Sequence, residues 1–246
     1  MKNNKFYKKP ISNIYKRPSD VSEITSQILY GEKFKILSKN KNWVKIKTSF
    51  DNYIGYIKDR NYTNSHNPTH KVASLKASIF NKSKIKTKKF LPFASKISSL
   101  KENKKFIKFE KNKWIKKKDI KIINYIDNNF LKILKLFLNT KYIWGGKSYK
   151  GIDCSAILQL FFYYNNEFYP RDTKKQISYS KKNKGIKKFR KGNIIFWNGH
   201  VAICINSTQL IHAYGPKKKV LIMPIDDTIK IIKKTANLVV KKISNI

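Results

Sequence analysis

Residues 142–164 read YIWGGKSYKGIDCSAILQLFFYY and contain Cys154, one of only two cysteines in this 246-residue chain. Glycines before the cysteine permit tight backbone turns, and a long apolar run follows it. Asp153 can cap a helix that starts at Cys154, and the apolar run predicts that this helix is buried. A thiol in the first turn of a helix lies beside unpaired backbone N–H groups and the positive end of the helix dipole. The stretch is therefore typical either of a nucleophilic thiol or of a small core side chain, and residue types alone leave both open.

Two histidines further along the chain could supply the base that a nucleophilic thiol needs. His200 follows Asn198-Gly199, a strong two-residue hairpin signal, and His212 lies in the next predicted strand. An even loop between these strands would point the two histidines to opposite faces, whereas an odd loop would put them on one face. We predict the odd loop, residues 206–208, with His200 as the base and His212 as the group that orients its ring.

Other cysteine and histidine positions favour packing over chemistry. Cys204 lies inside a predicted strand without a helix start or glycine loop, so we interpret it as a core residue. A zinc site of one cysteine and two histidines would have only three ligands on separate elements. Pro68 between His66 and His70 argues against a helical metal pair there. The sequence therefore predicts neither a metal nor a cofactor.

The chain before this region has a different periodicity. Residues 10–60 alternate as short strands, with Gly55 at an expected bulge, and residues 61–70 form a polar linker. A looser copy of the same pattern follows, and near residue 126 the period changes to that of an apolar helix with Asp127 as its expected cap. The predicted fold class is two small all-β barrels followed by an α+β domain, with boundaries at 1–65, 66–122 and 123–246.

The charge is extreme, with 55 basic against 14 acidic residues and a net charge of +41. This balance is typical of proteins that bind nucleic acid or an anionic surface. The lysines are spread over the whole chain, however, and only four basic residues are arginine, the residue preferred for planar phosphate and base recognition. We therefore interpret the charge as a compositional bias and expect no specific nucleic-acid partner.

No stretch reaches the roughly 18 apolar residues of a membrane span. The basic start MKNNKFYKKP has no apolar segment behind it, so no secretory signal is expected. The expectation is a cytoplasmic protein with reduced thiols, and a monomer.

Three motifs in this order carry a resemblance to a known family: TKYIWGGKSYKGIDCSAILQ, GNIIFWNGHVAICI and LIHAYG. Over about residues 125–225 the chain resembles the NlpC-type peptidases, papain-like cysteine enzymes that cut γ-D-glutamyl–diaminoacyl bonds in peptidoglycan peptides. The two front repeats look like the bacterial SH3-like domains often fused to them. The resemblance implies that Cys154 is the nucleophile, His200 the base, His212 the third member, and Tyr142 a neighbour of the oxyanion site.

A narrower resemblance concerns residues 169–176, YPRDTKKQ, which look like a segment of the intracellular members that need a free N-terminal L-Ala. In those enzymes this segment holds the substrate's ammonium group, and a tyrosine from the first SH3-like domain closes the pocket. The implied partner is a peptidoglycan-derived peptide, L-Ala-γ-D-Glu-diamino acid. The implied substrate-binding residues are Asp172, Thr173, Asp153, Ser155 and Tyr53.

The chain departs from the family pattern at two positions that carry no catalytic group. Ala156 stands where the family usually has glycine, and Asn193 replaces a common aspartate. Two other functions stay open at this point: an exported hydrolase acting on intact wall, and a basic non-enzymatic protein that binds nucleic acid.

Overall fold

The computed structural model of the protein describes residues 4–58, 61–82, 84–183 and 188–246. The chain divides into two compact units. The first comprises residues 1–128 with the short segments 147–149 and 163–167, and the second comprises 129–146, 150–162 and 168–246. The first unit is an all-β, SH3-like region, and the second carries the helices and an antiparallel sheet.

Up to residue 122 the described residues of the first unit form short strands and one 3-10 turn, Lys117–Asp119. Its strands are β1 Asn4–Tyr7, β2 Ile11–Tyr15, β3 Ile24–Leu29, β4 Lys33–Asn40, β5 Trp43–Thr48, β6 Ile54–Ile57, β7 Tyr62–Thr63, β8 His70–Val72, β9 Lys76–Phe80, β10 Lys86–Pro92, β11 Lys96–Ile97, β12 Lys101–Glu102, β13 Phe106–Glu110, β14 Lys113–Lys116 and β15 Ile120–Ile122.

The first seven strands form one sheet in the order β3-β2-β6-β5-β4-β1-β7. In β5, Val44, Ile46 and Thr48 are buried and alternate with more exposed neighbours, so one face of the strand is turned to the core. That core contains Tyr7, Ile14, Ile28, Phe34, Val44, Ile46 and Ile57. Burying a side chain of this size stabilises the fold by about 1.5–3 kcal/mol.

The looser second copy has a core of its own. Its strands form a five-stranded sheet, β10-β9-β14-β13-β12, and a three-stranded sheet, β11-β8-β15. The apolar residues Val72, Ala77, Ile79, Leu91, Ile97, Ile107, Phe109, Ile115 and Ile120 pack between them with Tyr30. Strand β9 was not predicted from the sequence.

The expectation of a bulge at Gly55 was wrong. Gly55 pairs regularly with Ile46 in the β5–β6 ladder. A Cβ atom at this position would lie 2.3 Å from Ile14 Cγ2 and 2.9 Å from the Tyr15 carbonyl oxygen. The glycine is therefore required by the close approach of β2, not by an irregular backbone.

The second unit is built around one antiparallel sheet. The elements after residue 128 are α1 Phe130–Lys135, β16 Lys147–Ser148, β17 Gly151–Ile152, α2 Cys154–Tyr164, α3 Thr173–Tyr179, β18 Asn193–Trp197, β19 His200–Cys204, β20 Gln209–Tyr214, β21 Lys219–Pro224, α4 Ile225–Ala236 and β22 Lys242–Asn245. All of them belong to the second unit except β16 and the last two residues of α2, which belong to the first. A 3-10 turn, Gly215–Lys217, joins β20 to β21, and the sheet order is β21-β20-β19-β18-β22.

Helix α1 is shorter than its apolar pattern predicts, and Asp127 is not its cap. Asn129 holds the N-cap position and accepts a hydrogen bond from the Lys132 backbone N–H at 3.2 Å. Asp127 instead lies two residues earlier, where its backbone N–H donates to Asn165 Oδ1.

Among the described residues, no helix combines the length and the hydropathy that crossing a membrane requires.

Candidate active site

Cys154 is the first residue of α2, as predicted, and Asp153 caps that helix. The Ala156 backbone N–H donates to Asp153 Oδ1 at 2.8 Å, and the Gly145 backbone N–H donates to Asp153 Oδ2 at 3.0 Å. One carboxylate thus joins the glycine-rich turn to the helix start. A Cβ atom at Gly146 would lie 2.5 Å from the Gly151 carbonyl oxygen, so the turn can close this tightly only with glycine.

Arg171 is the counter-ion of the capping carboxylate. Its Nη1 donates to Asp153 Oδ1 at 2.9 Å and its Nη2 donates to Asp153 Oδ2 at 2.6 Å. Nη1 also donates to Ser155 Oγ at 2.8 Å. Both charged side chains are almost fully buried. This bidentate ion pair binds the segment before α3 to the first turn of α2.

His200 is held by the predicted two-residue hairpin. Trp197 pairs with His200 across the β18–β19 turn, and Gly199 has a φ of +81°. That left-handed conformation suits glycine, which explains the Asn-Gly signal. The turn places the His200 ring at the first position of β19.

The predicted odd loop between β19 and β20 is confirmed. Ile203 pairs with Ile211 and Cys204 with Leu210, and the Ile205 backbone N–H donates to the Gln209 carbonyl. This register leaves residues 206–208 as the loop and places the two histidines on one face. His200 Nε2 lies 2.9 Å from His212 Nδ1. The predicted base and its predicted orienting group are therefore directly hydrogen-bonded, and His200 Nδ1 lies outside this hydrogen bond.

His212 is completely buried and fixed from two further sides. The Tyr214 ring stacks on its imidazole, with centroids 4.7 Å apart and 11° between the planes. Its Nε2 lies 3.4 Å from Met223 Sδ. The predicted third member of the triad is thus an imidazole whose Nε2 faces a thioether.

The Cys154 sulfur lies against the turn that carries His200. Sγ is 3.9 Å from the Gly199 carbonyl oxygen, and the Val201 backbone N–H and the Thr173 hydroxyl donate hydrogen bonds to it. Burial, with the charge of Asp153, raises the pKa of the thiol to about 12, against the opposing effect of these two donors and of Arg171. The resting thiol is therefore protonated at neutral pH.

Burial acts on the two histidines in the opposite direction. It lowers the pKa of His200 to about 4, and burial together with the His200 charge lowers the pKa of His212 to about 2. Both imidazoles are neutral at pH 7, so His200 can accept a proton from the thiol when a substrate is attacked.

These lowered pKa values predict acid-sensitive stability. In an unfolded chain both histidines titrate near ~6.5, so between pH 6.5 and about 4 the unfolded state binds more protons than the folded state. The contribution of the two neutral histidines to the free energy of unfolding should therefore be complete above pH 6.5 and decrease as the pH is lowered. Urea titrations between pH 7.5 and 4.5 measure this slope. The variant His212→Gln, which removes one of these groups, should give a shallower slope than the wild type, and an identical slope would contradict the assignment.

Tyr142 lies beside the nucleophile on the strand-like segment before the glycine turn. It forms a parallel bridge with Ile152, and its ring would lie 3.4 Å from a Cβ at Gly215. Burial, with the charges of Cys154 and Asp153, raises the pKa of its phenol. Tyr142 is therefore a protonated hydrogen-bond donor near Cys154, as an oxyanion contact must be.

The predicted substrate-binding residues have different environments. Asp172 occupies the N-cap position of α3 without a capping bond from its side chain, and Thr173, the first residue of that helix, contacts the Cys154 sulfur. Asp153 and Ser155 are buried and bonded to Arg171 and to each other. Their contact with substrate stays a prediction, and the structure adds their role in holding the start of α2.

Tyr53 lies in the first unit, where its hydroxyl donates to the Thr25 carbonyl oxygen at 3.4 Å. Its predicted closing of the substrate pocket stays a prediction.

No group of three or more metal-ligating side chains occurs among the described residues. Cys204 belongs to the apolar cluster of the second unit, as predicted.

Sequence reasoning missed three residues of the site. Arg171 carries the ion pair to Asp153, Gln176 Nε2 donates to the Ser155 and Pro170 carbonyls at 3.0 and 2.9 Å, and Met223 contacts His212. A signal existed for Arg171, since it is one of only four arginines in a chain whose other cations are lysines. The other two have no local signal, because their partners are distant in sequence.

Comparison with known proteins matches both parts of the chain to described families. Residues 139–237 match the NlpC/P60 family, and residues 14–61 match the bacterial dipeptidyl-peptidase Sh3 domain. A protein of Lysinibacillus sphaericus named dipeptidyl-peptidase 6 is 24% identical over 244 residues, covering 88% of this chain and 90% of that protein. A probable endopeptidase NlpC homolog of Haemophilus influenzae is 34% identical over 94 residues, covering 35% of this chain and 49% of that protein.

Solved structures show the same fold. A structure of an NlpC/P60 family protein from Bacillus cereus superposes with a TM-score of 0.80 at 18% identity, covering 91% of this chain and 94% of that one. An NlpC/P60 endopeptidase from Photobacterium damselae subsp. piscicida superposes with a TM-score of 0.66 at 14% identity, covering 98% of this chain and 70% of that one.

Proposed function

We propose that this chain, which matches the NlpC/P60 family over residues 139–237 and a bacterial Sh3 domain over residues 14–61, is a cysteine peptidase that cleaves a free peptidoglycan-derived peptide. The bond is the one between γ-D-Glu and the diamino acid of L-Ala-γ-D-Glu-diamino acid. The observation that carries the chemistry is the thiol of Cys154 at a helix start, beside a turn whose histidine is bonded to a second histidine.

The proposed reaction begins with proton transfer. The Cys154 sulfur attacks the γ-carbonyl carbon of D-Glu, and its proton moves to His200 Nδ1. The carbonyl oxygen becomes an oxyanion, which the Tyr142 phenol and the first backbone N–H groups of α2 stabilise. His212 accepts the hydrogen bond from the protonated His200 ring and keeps it oriented.

Collapse of the intermediate breaks the carbon–nitrogen bond. His200 gives its proton to the leaving amine of the diamino acid, and a thioester to Cys154 remains. A water molecule then attacks the thioester after giving a proton to His200, and that proton returns to the sulfur. The products are L-Ala-γ-D-Glu and the free diamino acid, with the enzyme restored.

Selection for a free amine would come from a carboxylate at the far end of the substrate. Asp172, with Thr173 beside it, is the proposed ammonium contact, and Tyr53 is proposed to cover it. An acylated or wall-linked peptide has no ammonium charge at this end, so it would lose the attraction of this carboxylate. The full-length similarity to a protein named dipeptidyl-peptidase 6 supports this preference. A cytoplasmic role in reusing wall peptides follows from the same proposal.

The test is cleavage of L-Ala-γ-D-Glu-diaminopimelate, read by mass spectrometry. The free peptide should yield L-Ala-γ-D-Glu, and its N-acetylated form should be cut at least about 100-fold more slowly. Equal rates would overturn the requirement for a free amine. Intact wall sacculi provide the third arm, because the net charge of +41 also suits an exported hydrolase held by anionic wall polymers. Sacculi degraded as fast as the free peptide would favour that function instead.

A further inference from the structure

The β20–β21 pairing brings Met223 to His212. Leu210 pairs with Met223 and His212 with Leu221, so Met223 is the diagonal neighbour of His212 on the same face of the sheet. The contact joins Met223 Sδ to His212 Nε2 at 3.4 Å. Met223 is the only methionine in the chain apart from Met1.

We propose that Met223 is a positioning residue that fixes the tautomers of His212 and His200, and so leaves His200 Nδ1 free of hydrogen to act as the base. The tautomers follow from the structure alone, and their catalytic consequence rests on the proposed function.

The thioether decides the first tautomer. A methionine sulfur has no hydrogen and can only accept a hydrogen bond. His212 Nε2 must therefore carry the hydrogen. A neutral imidazole has one N–H, so His212 Nδ1 is a bare acceptor.

The second tautomer follows from the first. His200 Nε2 lies 2.9 Å from the bare His212 Nδ1, a hydrogen-bond distance, so His200 Nε2 must be the donor. The neutral His200 ring then has no hydrogen on Nδ1. That is the nitrogen left for the Cys154 sulfur, which lies against Gly199 and Val201 on either side of His200 in the chain.

Without the sulfur, a second arrangement would be equally well hydrogen-bonded within the pair. His212 Nδ1–H would donate to His200 Nε2, and the hydrogen of His200 would sit on Nδ1, where it blocks uptake of the thiol proton. In the native site this arrangement would place the bare Nε2 of His212 against the lone pairs of the Met223 sulfur, where no hydrogen bond can form. Met223 therefore selects between two otherwise balanced states.

The experiment is nitrogen NMR of ¹⁵N-histidine-labelled protein at pH 7.5, which distinguishes a protonated from a bare ring nitrogen. The chain has four histidines, so the spectrum is small and can be assigned with single substitutions. His66 is an internal reference, because its Nε2 lies 3.0 Å from the Lys96 carbonyl oxygen, which can only accept. In the wild type, His66, His200 and His212 should all show a protonated Nε2 and a bare Nδ1.

The test variant is Met223→Leu, which keeps the apolar volume and removes the acceptor. His200 and His212 should become mixtures of tautomers while His66 stays unchanged. The kcat for the peptide should fall by the same factor as the population of His200 with a bare Nδ1, about two- to tenfold, with KM unchanged. Selenomethionine at position 223 keeps an acceptor and should behave as the wild type.

Leu221→Val is the matched control, since Leu221 lies in the same strand as Met223, pairs with His212 across β20 and β21, and cannot accept a hydrogen bond. It should leave both tautomers unchanged. Unaltered tautomers in Met223→Leu, or an equal change in Leu221→Val, would overturn the proposal. If no variant or wild type cleaves the peptide, the proposed function fails, but the NMR result still decides the tautomers.

Discussion

Replacing Cys154 with alanine is expected to abolish cleavage of L-Ala-γ-D-Glu-diaminopimelate, with kcat lowered by about 10⁴-fold or more. The reason is that the neighbouring hydroxyls of Ser155 and Thr173 are far weaker nucleophiles than a thiol whose proton a base can accept. The sulfur lies at the start of α2 and beside the turn that carries His200, the proposed base, and the helix N–H groups and Tyr142 are the proposed oxyanion contacts. Single-turnover assays with the product read by mass spectrometry give the remaining rate.

The second cysteine provides the control. Cys204 is fully buried in the apolar cluster of the second unit, and it lies four residues after His200 on the same strand. Cys204→Ala should lower the free energy of unfolding by about 1 kcal/mol through the small cavity it creates, with kcat unchanged. Activity that survives Cys154→Ala but not Cys204→Ala would show that Cys204 is the nucleophile and would overturn our proposal.

Replacing Arg171 with methionine is expected to produce the largest loss of stability of any single substitution considered for this site. Both prongs of the guanidinium bind the Asp153 carboxylate, which is 5% exposed. Methionine fills a similar volume but leaves a buried negative charge without its partner. Breaking such a pair costs about 3–5 kcal/mol, measured as the difference in the free energy of unfolding in urea.

A second arginine of the same unit gives the matched comparison. Arg190 is exposed, so Arg190→Met should change the free energy of unfolding by less than about 0.5 kcal/mol. Adding Asp153→Asn to Arg171→Met removes the orphaned charge and should recover part of the loss. If Arg171→Met is no more harmful than Arg190→Met, the ion pair does not stabilise the start of α2.

The three candidate catalytic residues could be located because each has a local signal, and the family resemblance then implied their roles. The glycine turn, Asp153 and the apolar run mark a helix start at Cys154, and Asn198-Gly199 marks the hairpin that presents His200. The three-residue loop 206–208 then sets the face on which His212 lies, since side chains alternate along a strand. The wrong expectations failed for a related reason. Gly55 and Asp127 were interpreted from their own neighbourhoods, whereas their environments come from Ile14 and Asn165.

The amino-acid sequence by itself determined the fold class and the local positions of the candidate thiol and the two histidines, because turns, caps and strand register depend on residues a few positions apart. Only the tertiary structure decided what surrounds them. The contacts of Arg171 with Asp153 and of Met223 with His212 join residues 18 and 11 positions apart on different elements. Such contacts depend on which faces of the elements meet when apolar surface is buried, and no local pattern encodes that choice. The ionisation of the site has the same origin, since burial raises the pKa of Cys154 and lowers that of His200.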